Sequence, residues 1–188
     1  HLDEKVAKLH LDKVGATLSK LSNEQKMFNL NKHHCFVGIS KRAKLAIKQA
    51  DVIIYSAGTQ HSSLYPTYLT VGLAQSIADN SKALKFFVTN IGADYETPTY
   101  NASDYIKGAF KYLQLSDQRH YTYQELFDYN LLNKSDNFGS SYVNLDFNSL
   151  DKIGVEQVIK NFESDLHRGK HDGEKLLSEI INILDRRS

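Results

Sequence analysis

Asp51-Val-Ile-Ile-Tyr-Ser-Ala-Gly-Thr-Gln-His-Ser-Ser-Leu-Tyr-Pro66 is the stretch that decides the fold. Its apolar run, Val52 to Tyr55, is too short for a helix, and it leads through a glycine and several hydroxyl-bearing residues to Pro66, which is typical of a helix start. The order predicts a strand, a turn and a helix. In an open α/β sheet such a turn lies at the carboxyl edge of the strands, where ligands bind.

Strand-like and helix-like segments alternate on both sides of this stretch. Strands are predicted at Cys35–Ile39, Asp51–Tyr55, Leu84–Thr89, Tyr129–Leu132, Tyr142–Leu145 and Val155–Ile159. Helices are predicted at Lys41–Gln49, with Ala43, Leu45, Ala46 and Ile47 inward, at Ser62–Asp79, around Tyr105–Leu113, and from Asp172 onward. Because the crossovers are long enough for parallel pairing, we expect an α/β fold with three layers and a doubly wound, mostly parallel, Rossmann-like sheet.

The whole chain, residues 1–188, is expected to form a single α/β domain, because this length suffices to bury about 70% of the unfolded surface. Residues 1–35 are a poorly assigned amino-terminal element: Val6–Val14 fits a helix or a strand, and a short helix is predicted over Thr17–Lys26. Residues 36–188 form the core of the fold. His33 and His34 stand beside Cys35, but adjacent side chains do not easily share one tetrahedral ion, so we favour a position at the surface or at a strand edge for them and a packed, unreactive Cys35.

The composition excludes several classes of protein. A net charge of +1 gives no electrostatic argument for nucleic acid or an acidic membrane as a partner. One cysteine excludes an internal disulfide framework, and no apolar run approaches the roughly 20 residues that cross a bilayer. We therefore expect a cytoplasmic protein with no nucleic acid or membrane partner. The oligomeric state stays open, a homo-oligomer included.

The turn after the Val52–Tyr55 strand carries groups that suit a phosphate. Helix-terminal N–H groups and the helix dipole favour an anion, and a glycine lets the backbone approach it closely. The candidate phosphate-binding residues are Gly58, Thr59, Gln60, His61, Ser62 and Ser63. An ordinary capped turn is an equally good interpretation, because neither a Walker motif nor G-x-G-x-x-G is present.

Further candidates follow the next strand and precede the last helix. Asn90 ends the Leu84–Thr89 strand, which puts it at the same sheet edge if the strands are parallel, and its amide both donates and accepts. Glu96 and Asp104 flank the next helix start, where a carboxylate either contacts a ligand or stabilises free amides. The run Lys170-His171-Asp172 either lines a polyphosphate site or is a solvated loop with Asp172 as helix cap.

In three segments the chain resembles the CofD-like family, which includes the phospholactate transferase of deazaflavin coenzyme biosynthesis and a bacterial gluconeogenesis factor that binds nucleotide sugars. The family shows Ala-Asp, an apolar strand and G-P-G-S-x-x-T-S-x-x-P. Here Ala50-Asp51 precedes the strand, Gly58, Ser63 and Pro66 match, Thr59 and Ser62 exchange one hydroxyl residue for the other, and Ser56-Ala57 replaces Gly-Pro.

Two later motifs extend the resemblance over roughly residues 36–186. The family has a strand that ends in Asn, and Asn90 takes that position here. The family's G-E-T-x-x-Y-S-A-x-D loop follows, and the matching residues, in a loop one residue shorter, are Glu96, Thr97, Tyr100, Ala102 and Asp104. The family's R-H-D-x-x-K-L motif corresponds to Lys170, His171, Asp172, Lys175 and Leu176. Lys in place of Arg keeps the charge and loses the bidentate fork.

The resemblance implies two functions. One is a transferase that moves a phospholactate-type group from a guanosine diphospho donor to a deazaflavin acceptor, with Mg²⁺ offsetting the diphosphate charge. The other is a regulator of carbon or cell-wall metabolism that binds a nucleotide sugar without turnover. The partner would be a GDP-type or UDP-type small molecule, held by the phosphate-binding residues together with Asn90, Glu96, Thr97, Tyr100, Asp104 and Lys170–Asp172.

One family feature has no counterpart in the sequence. Family members begin with a strand that runs into a Gly-Gly turn around the nucleotide phosphates, and the present sequence contains no Gly-Gly pair. Either the chain is the carboxyl part of a longer protein, or it is a member that has lost half of its site. We accordingly expect the sheet to be incomplete on its amino-terminal side.

Overall fold

The computed structural model describes residues 20–32, 35–134 and 141–187. The chain divides into two compact units, His1–Gly38 and Ile39–Ser188. In the first unit, the described residues contain helix α1 (Asn23–Asn31). Val6–Val14, the first residues of the helix predicted at Thr17–Lys26, and the pair His33 and His34 lie outside the described residues.

The second unit is built on a four-stranded sheet in the described part of the chain. The strands lie side by side in the order β1 (Val52–Tyr55), β2 (Leu84–Val88), β3 (Tyr129–Asn133) and β4 (Glu156–Lys160). All neighbouring pairs are parallel, with Tyr55 level with Phe87 and Leu131 level with Val158. The predicted parallel α/β sheet is confirmed.

Short and long helices connect and cover these strands. They are α2 (Lys41–Gln49), α3 (Tyr65–Tyr68), α4 (Leu73–Ala78), α5 (Ala102–Leu115), α6 (Tyr123–Leu126), α7 (Phe147–Leu150) and α8 (Gly173–Arg187), with a π-helical turn at Gln60–Leu64 and a 3-10 turn at Asp151–Ile153. Helix α2 has the predicted bounds. Helices α5 and α8 occupy the segments that the 3.6-residue periodicity indicated.

The sheet is covered on both faces, which makes three layers. Successive residues of a strand point to opposite faces, so neighbouring strand residues enter different cores. Phe87 packs in the core that includes Ile106 of α5, and Phe86 packs in the core that includes Ile180 of α8. Each such buried side chain contributes about 1.5–3 kcal/mol. β1 and β2 are largely apolar, as parallel strands between two helical layers are, whereas β4 has the sequence Glu-Gln-Val-Ile-Lys and is partly exposed.

The single helix predicted over Ser62–Asp79 is wrong. The segment divides into the π-helical turn, α3 and α4, because the chain turns between Leu69 and Gly72. Gly72 has φ +82°, a left-handed conformation that ends one helix and begins another at little cost only for glycine. As a result Leu69 is partly exposed, whereas Ile77 of α4 is buried.

Two of the predicted strands are also wrong. Cys35–Ile39 belongs to no strand of the sheet, and Cys35 is exposed rather than packed. Tyr142–Leu145 makes only isolated bridges, Tyr142 with Gly92 and Asn144 with Asn101. A short apolar run indicates that the segment is partly buried, but it does not determine whether another strand pairs with it. This ambiguity explains both errors.

The predicted inward face of α2 is only partly correct. Ile47 packs against the core, whereas Leu45 is 54% exposed. Residues two apart on a helix lie about 200° apart around its axis, so Leu45 and Ile47 cannot both face the sheet.

Helix length bears on the predicted location of the protein. Within the described residues, no helix combines the length and the hydrophobicity that a bilayer crossing requires. The longest helix there, α8, has 15 residues, and a transmembrane helix needs about 20. The cytoplasmic location stays a prediction.

Candidate ligand-binding site

A cavity of about 420 Å³ lies where β1 and β2 end, at the carboxyl edge of the sheet. Its size is within the range of about 300–1,000 Å³ that is usual for small-molecule sites. Its walls come from three segments, which contribute Ala57, Gly58 and Thr59, then Asn90 to Tyr95, then Gly169, Lys170 and His171. Each of these three segments contains at least one residue that we predicted from the sequence to bind a ligand.

The turn after β1 is attached to the end of β2 by one side chain. Asn90 accepts a hydrogen bond from the Gly58 N–H through Oδ1 at 3.0 Å, and its Nδ2 donates to the Gly58 carbonyl at 3.1 Å. Gly58 and Asn90 therefore share one edge of the sheet. Because both polar atoms of Asn90 are engaged, this residue positions the turn.

The π-helical turn Gln60–Leu64 continues from Gly58 and Thr59. Gln60 is buried, and its side-chain Nε2 donates to the Gly58 carbonyl at 2.7 Å, while the Leu64 N–H donates to the Thr59 carbonyl at 3.1 Å. Turns with π-helical bonding are rare and frequently occur at functional sites. The sequence predicted a helix start here and did not predict its π-helical form.

An anion from the protein itself already occupies part of this turn. Glu96 accepts a hydrogen bond from the Ser62 N–H at 3.0 Å. Hydrogen bonds from the Ser62 hydroxyl, then from the Ser62 amide and the His61 amide, hold the pKa of Glu96 below its usual value. The Ser62 amide thus holds a carboxylate of the protein itself, and Glu96 links the loop after β2 to the turn after β1. Phosphate binding by this turn stays a prediction.

The loop before α8 delivers a cation and an imidazole to the cavity. Lys170 is exposed, and it forms no salt bridge within residues 20–32, 35–134 and 141–187. His171 is partly buried, and its Nε2 lies 3.1 Å from the Thr89 carbonyl, which can only accept. Burial lowers the pKa of His171, although the bond to Thr89 opposes this in part. At neutral pH the cavity wall therefore carries the exposed ammonium of Lys170 and the neutral ring of His171.

Two glycines let the loop before α8 contact the loop after β2. A Cβ on Gly92 would lie 3.3 Å from the Gly169 carbonyl oxygen and 3.6 Å from its Cα. Gly169 also has φ +72°, where other residues are strained. The two backbones therefore meet without side chains between them, and this contact closes one wall of the cavity.

Glu163 was missed in the sequence, although it organises the loop that carries Lys170 and His171. It is 9% exposed, and its Oε1 accepts hydrogen bonds from the Tyr142 hydroxyl at 2.8 Å and from the Gly169 N–H at 2.6 Å. Charge-assisted bonds of this kind are roughly twice as strong as neutral ones. No local pattern indicated this role, because the bonds depend on the fold.

Asp94 and Tyr95 also line the cavity without having been predicted. The Asp94 Oδ1 accepts from the Glu96 N–H at 3.3 Å, and its Oδ2 is buried without a hydrogen-bond partner in the described structure. The Tyr95 side chain is fully exposed at the rim. An exposed aromatic ring beside a polar cavity is suited to stacking on a planar ligand.

Several predicted site residues lie beside the cavity without lining it. Thr97 is buried, and its hydroxyl oxygen lies 3.0 Å from the hydroxyl oxygen of Tyr105. The hydroxyl oxygen of Tyr100 lies 3.4 Å from Nε2 of His61. Ser63 is exposed, and its carbonyl accepts from Thr67. These residues support the walls, and ligand contact by them stays a prediction.

Asp104 and Asp172 occupy helix-capping positions. Asp104 accepts a hydrogen bond from the Asn101 N–H at 2.9 Å at the start of α5. Asp172 accepts from the N–H groups of Glu174 at 2.9 Å and Lys175 at 3.1 Å at the start of α8. These contacts agree with the second role that we predicted for such carboxylates, which is to stabilise the free amides at a helix start.

Metal ligands are sparse in the described part of the chain. It contains no group of three or more His, Cys, Asp and Glu side chains that could hold a metal ion. Mg²⁺ is usually bound through one or two carboxylates together with substrate phosphates and water. Asp94 is the carboxylate in the cavity wall, so the donors present fit a Mg²⁺ ion that arrives with a phosphorylated ligand.

Comparison with known proteins identifies the family. The family model described as 2-phospho-L-lactate transferase CofD matches residues 17–163. The chain therefore belongs to the CofD family, as its motifs indicated.

The curated relatives carry a different functional name. The gluconeogenesis factors of Listeria innocua and Listeria monocytogenes are 27% and 28% identical over 149 and 145 residues, which cover 76% and 74% of this chain. A relative from Clostridium acetobutylicum, also described as a gluconeogenesis factor, is 29% identical over 156 residues. The chain spans 32% of the Clostridium protein and 44% and 43% of the Listeria proteins.

A solved structure confirms the fold. Protein BH3568 from Bacillus halodurans, a member of the UPF0052 family, aligns with a TM-score of 0.65 and 20% identity, over 77% of this chain and 47% of that protein. At this identity the likeness supports the three-layer α/β fold and carries no inference about a ligand.

Proposed function

We propose that the cavity at the carboxyl edge binds the diphosphate of a nucleoside-diphosphate-linked small molecule, and that the chain acts as a ligand-binding regulator of the gluconeogenesis-factor type. The observation that carries this proposal is the meeting of Gly58, Gly92, Gly169 and Lys170 around one cavity. Backbone without side chains allows close approach of a phosphate, and the exposed ammonium of Lys170 supplies the opposite charge.

The names of the relatives support the regulatory role. Three of the curated relatives are described as gluconeogenesis factors, and their matches cover 74–76% of this chain. A regulator requires binding without turnover, and the glycine-walled cavity with the exposed Lys170 and the neutral ring of His171 supports such binding. Mg²⁺ would enter with the diphosphate, and Asp94 would be its contact from this chain.

A second candidate is the phospholactate-type transferase named by the family model. In that reaction a deazaflavin hydroxyl oxygen attacks the phosphorus bearing the lactyl group, the bond from that phosphorus to the guanosine monophosphate oxygen breaks, and the hydroxyl proton passes to water. Such reactions proceed mainly by positioning and charge stabilisation. In this chain Lys170 would offset the developing charge, and the Asn90-supported turn would orient the donor.

Calorimetric titration tests the proposal. The ligands are UDP, GDP and UDP-N-acetylglucosamine, each with and without Mg²⁺, and the variants are Lys170→Gln and, as a charge-matched control, Lys48→Gln in the exposed last turn of α2. Hydrogen bonds to charged groups contribute about 1.5–3 kcal/mol, so Lys170→Gln should weaken binding by about tenfold or more. Lys48→Gln should bind like the wild type.

The base preference separates the two functions. Preferred binding of uridine ligands supports the regulator, and preferred binding of GDP, with release of GMP from the lactyl-diphosphoguanosine donor in the presence of a deazaflavin, supports the transferase. Equal affinities of Lys170→Gln and Lys48→Gln, or no binding of any of these ligands by the wild type, would contradict the proposed site.

A further inference from the structure

Helix α2 carries a concentrated positive charge. Its sequence contains Lys41, Arg42, Lys44 and Lys48 and no acidic residue. The whole chain has a net charge of +1, so the residues outside α2, which itself carries +4, together carry −3. No salt bridge within residues 20–32, 35–134 and 141–187 involves a cation of α2. The small overall charge therefore conceals a local basic surface.

The rest of the protein leaves α2 almost uncovered. Every residue of the helix is exposed except Ile47, which is half-buried and packs against the core. An isolated helix shorter than about 12–15 residues is only marginally stable in water, so its ends must be held. The Ser40 Oγ accepts from the Ala43 N–H at 3.1 Å, and the Asn80 Nδ2 donates to the Ile47 carbonyl at 2.7 Å. The fold thus fixes both ends of α2 and leaves its outer surface exposed.

The charges of α2 lie where they destabilise the helix. Lys41 and Arg42 are in its first turn, where the helix dipole favours acidic side chains. Lys44 and Lys48 are four residues apart, so their ammonium groups repel each other across one turn. These charges do not stabilise the fold, whereas a negatively charged partner would offset the repulsion.

An exposed leucine lies within this charged surface. Leu45 is 54% exposed and follows Lys41 by four residues, so the two side chains are neighbours on the helix surface. Val71, which is also exposed, lies beside the start of α2, because its carbonyl accepts from the Ile39 N–H at 2.9 Å. Apolar contacts surrounded by polar groups are typical of protein–protein interfaces, whereas nucleic-acid interfaces are more polar.

We propose that the outer face of α2, formed by Lys41, Lys44 and Leu45, binds an acidic helical segment of a partner protein. Side chains three and four residues apart share one face of a helix, so a partner helix with glutamates at this spacing and a leucine between them complements the face of α2 in charge and polarity. This face is separate from the ligand cavity, since α2 contributes no residue to the cavity wall. The proposal is therefore independent of the proposed ligand.

The test uses a fluorescent synthetic peptide built from repeats of Glu-Leu-Ala-Glu-Glu-Leu-Ala, and a neutral peptide in which Gln replaces every Glu. Binding to the whole chain is measured by fluorescence anisotropy at about 0.05 M and about 1 M NaCl, because the screening length falls to about 3 Å at the higher concentration. We expect the acidic peptide to bind at low salt and to bind more weakly at high salt. The neutral peptide should not bind.

Two double variants with the same change of charge locate the binding surface. Lys41→Glu/Lys44→Glu should weaken binding of the acidic peptide by about tenfold or more, because two attractions become repulsions. The control Lys111→Glu/Lys152→Glu reverses two exposed lysines outside α2 and should change the affinity by less than about twofold. Leu45→Ala should weaken binding about three- to fivefold, through the lost apolar contact.

Thermal unfolding separates recognition from a structural role of these lysines. Glutamates near the start of α2 agree with the helix dipole, so Lys41→Glu/Lys44→Glu should unfold at the same temperature as the wild type or at a higher one. A loss of binding together with a lower unfolding temperature would instead indicate that the lysines support the fold, and would overturn the proposal.

Four further results would overturn it. They are no binding of the acidic peptide, equal weakening by the two double variants, an unchanged affinity of Leu45→Ala, and tighter binding of oligothymidylate or of phosphatidylserine-containing vesicles than of the acidic peptide. Self-association of the wild type that Lys41→Glu/Lys44→Glu abolishes would identify a second copy of this chain as the partner, and would also contradict the proposal.

Discussion

Asn90 pairs with both backbone polar groups of Gly58, accepting from its N–H at 3.0 Å and donating to its carbonyl at 3.1 Å. One amide side chain thus replaces the hydrogen bonds that the two chain segments lose where their strands end. The turn after β1 is attached to the segment after β2 by this pair and by the bond from the Ser62 N–H to Glu96.

We expect Asn90→Ala to lower the free energy of unfolding by about 1–3 kcal/mol, because it leaves the partly buried Gly58 N–H without its acceptor, whereas the Gly58 carbonyl keeps the bond from Gln60. Asn90→Asp should also be destabilising, since it sets a carboxylate oxygen against the Gly58 carbonyl. Urea unfolding checks both, with Asn182→Ala on the exposed face of α8 as control. A loss no larger than that of the control would contradict the positioning role.

Glu163 should be required for the shape of the loop before α8. Glu163→Ala leaves the Gly169 N–H and the Tyr142 hydroxyl without this acceptor, so we expect a loss of about 1–3 kcal/mol in stability and weaker binding of UDP or GDP. Glu163→Gln retains an acceptor oxygen and is the matched control. Unfolding and calorimetric titration of both variants test this, and equal losses would show that the charge matters more than the acceptor.

Gly108 in α5 should not tolerate a methyl group. A Cβ there would overlap the Tyr65 hydroxyl and lie 2.7 Å from Cζ of a ring that is 1% exposed and stacked on Tyr112. Alanine favours a helix by up to about 1 kcal/mol over glycine, but we expect overpacking to outweigh this, so that Gly108→Ala is destabilised by about 1–3 kcal/mol.

Gly173→Ala is the control for this substitution, because nothing lies within 4 Å of a Cβ at the first position of α8. We expect it to be neutral or slightly stabilising in thermal unfolding. If Gly108→Ala is as stable as Gly173→Ala, the Tyr65 ring moves more easily than its packing indicates.

His171 should contribute to the pH dependence of stability. Because its pKa is lowered in the folded state, the unfolded chain takes up the proton first as the pH falls below about 6.5. The contribution of the neutral His171 ring to the free energy of unfolding is therefore fully present above that pH, and it is lost as the pH falls through the folded-state pKa. Urea unfolding at pH 7.5, 6.5 and 5.5 should show a smaller loss for His171→Gln than for the wild type, and parallel losses would contradict this.

The parallel sheet and its longest helices were predictable because their signals are local. The Val52–Tyr55 run, bounded by Asp51 and Ser56, has the length and apolarity of a buried strand. The sequence of α8 repeats apolar residues at helical spacing over 15 residues, so its existence did not depend on any tertiary contact. The relation of Gly58 to Asn90 followed from the parallel order of two strands.

The errors share one physical origin, which is that the competing conformations differ by tertiary contacts. The interruption of the predicted helix at Gly72 could not be predicted from the sequence, because a single glycine is also tolerated within a helix, at a cost of about 1 kcal/mol. The roles of Glu163 and Tyr142 were equally invisible, since their bonds join residues 6 and 21 positions apart in the sequence. Such contacts exist only once β4 and the loop before α8 are in place.

The contact between Gly92 and Gly169 has a consequence for how this family diversifies. A methyl group on Gly92 would lie 3.3 Å from the Gly169 carbonyl oxygen, so the two loops would have to separate by a few tenths of an ångström to accept it. In the proposed site, the space beside the ligand can therefore be adjusted in small steps at one position, while the Lys170 ammonium is left unchanged. Evolution can in this way alter which molecules fit before it alters how strongly any of them is held.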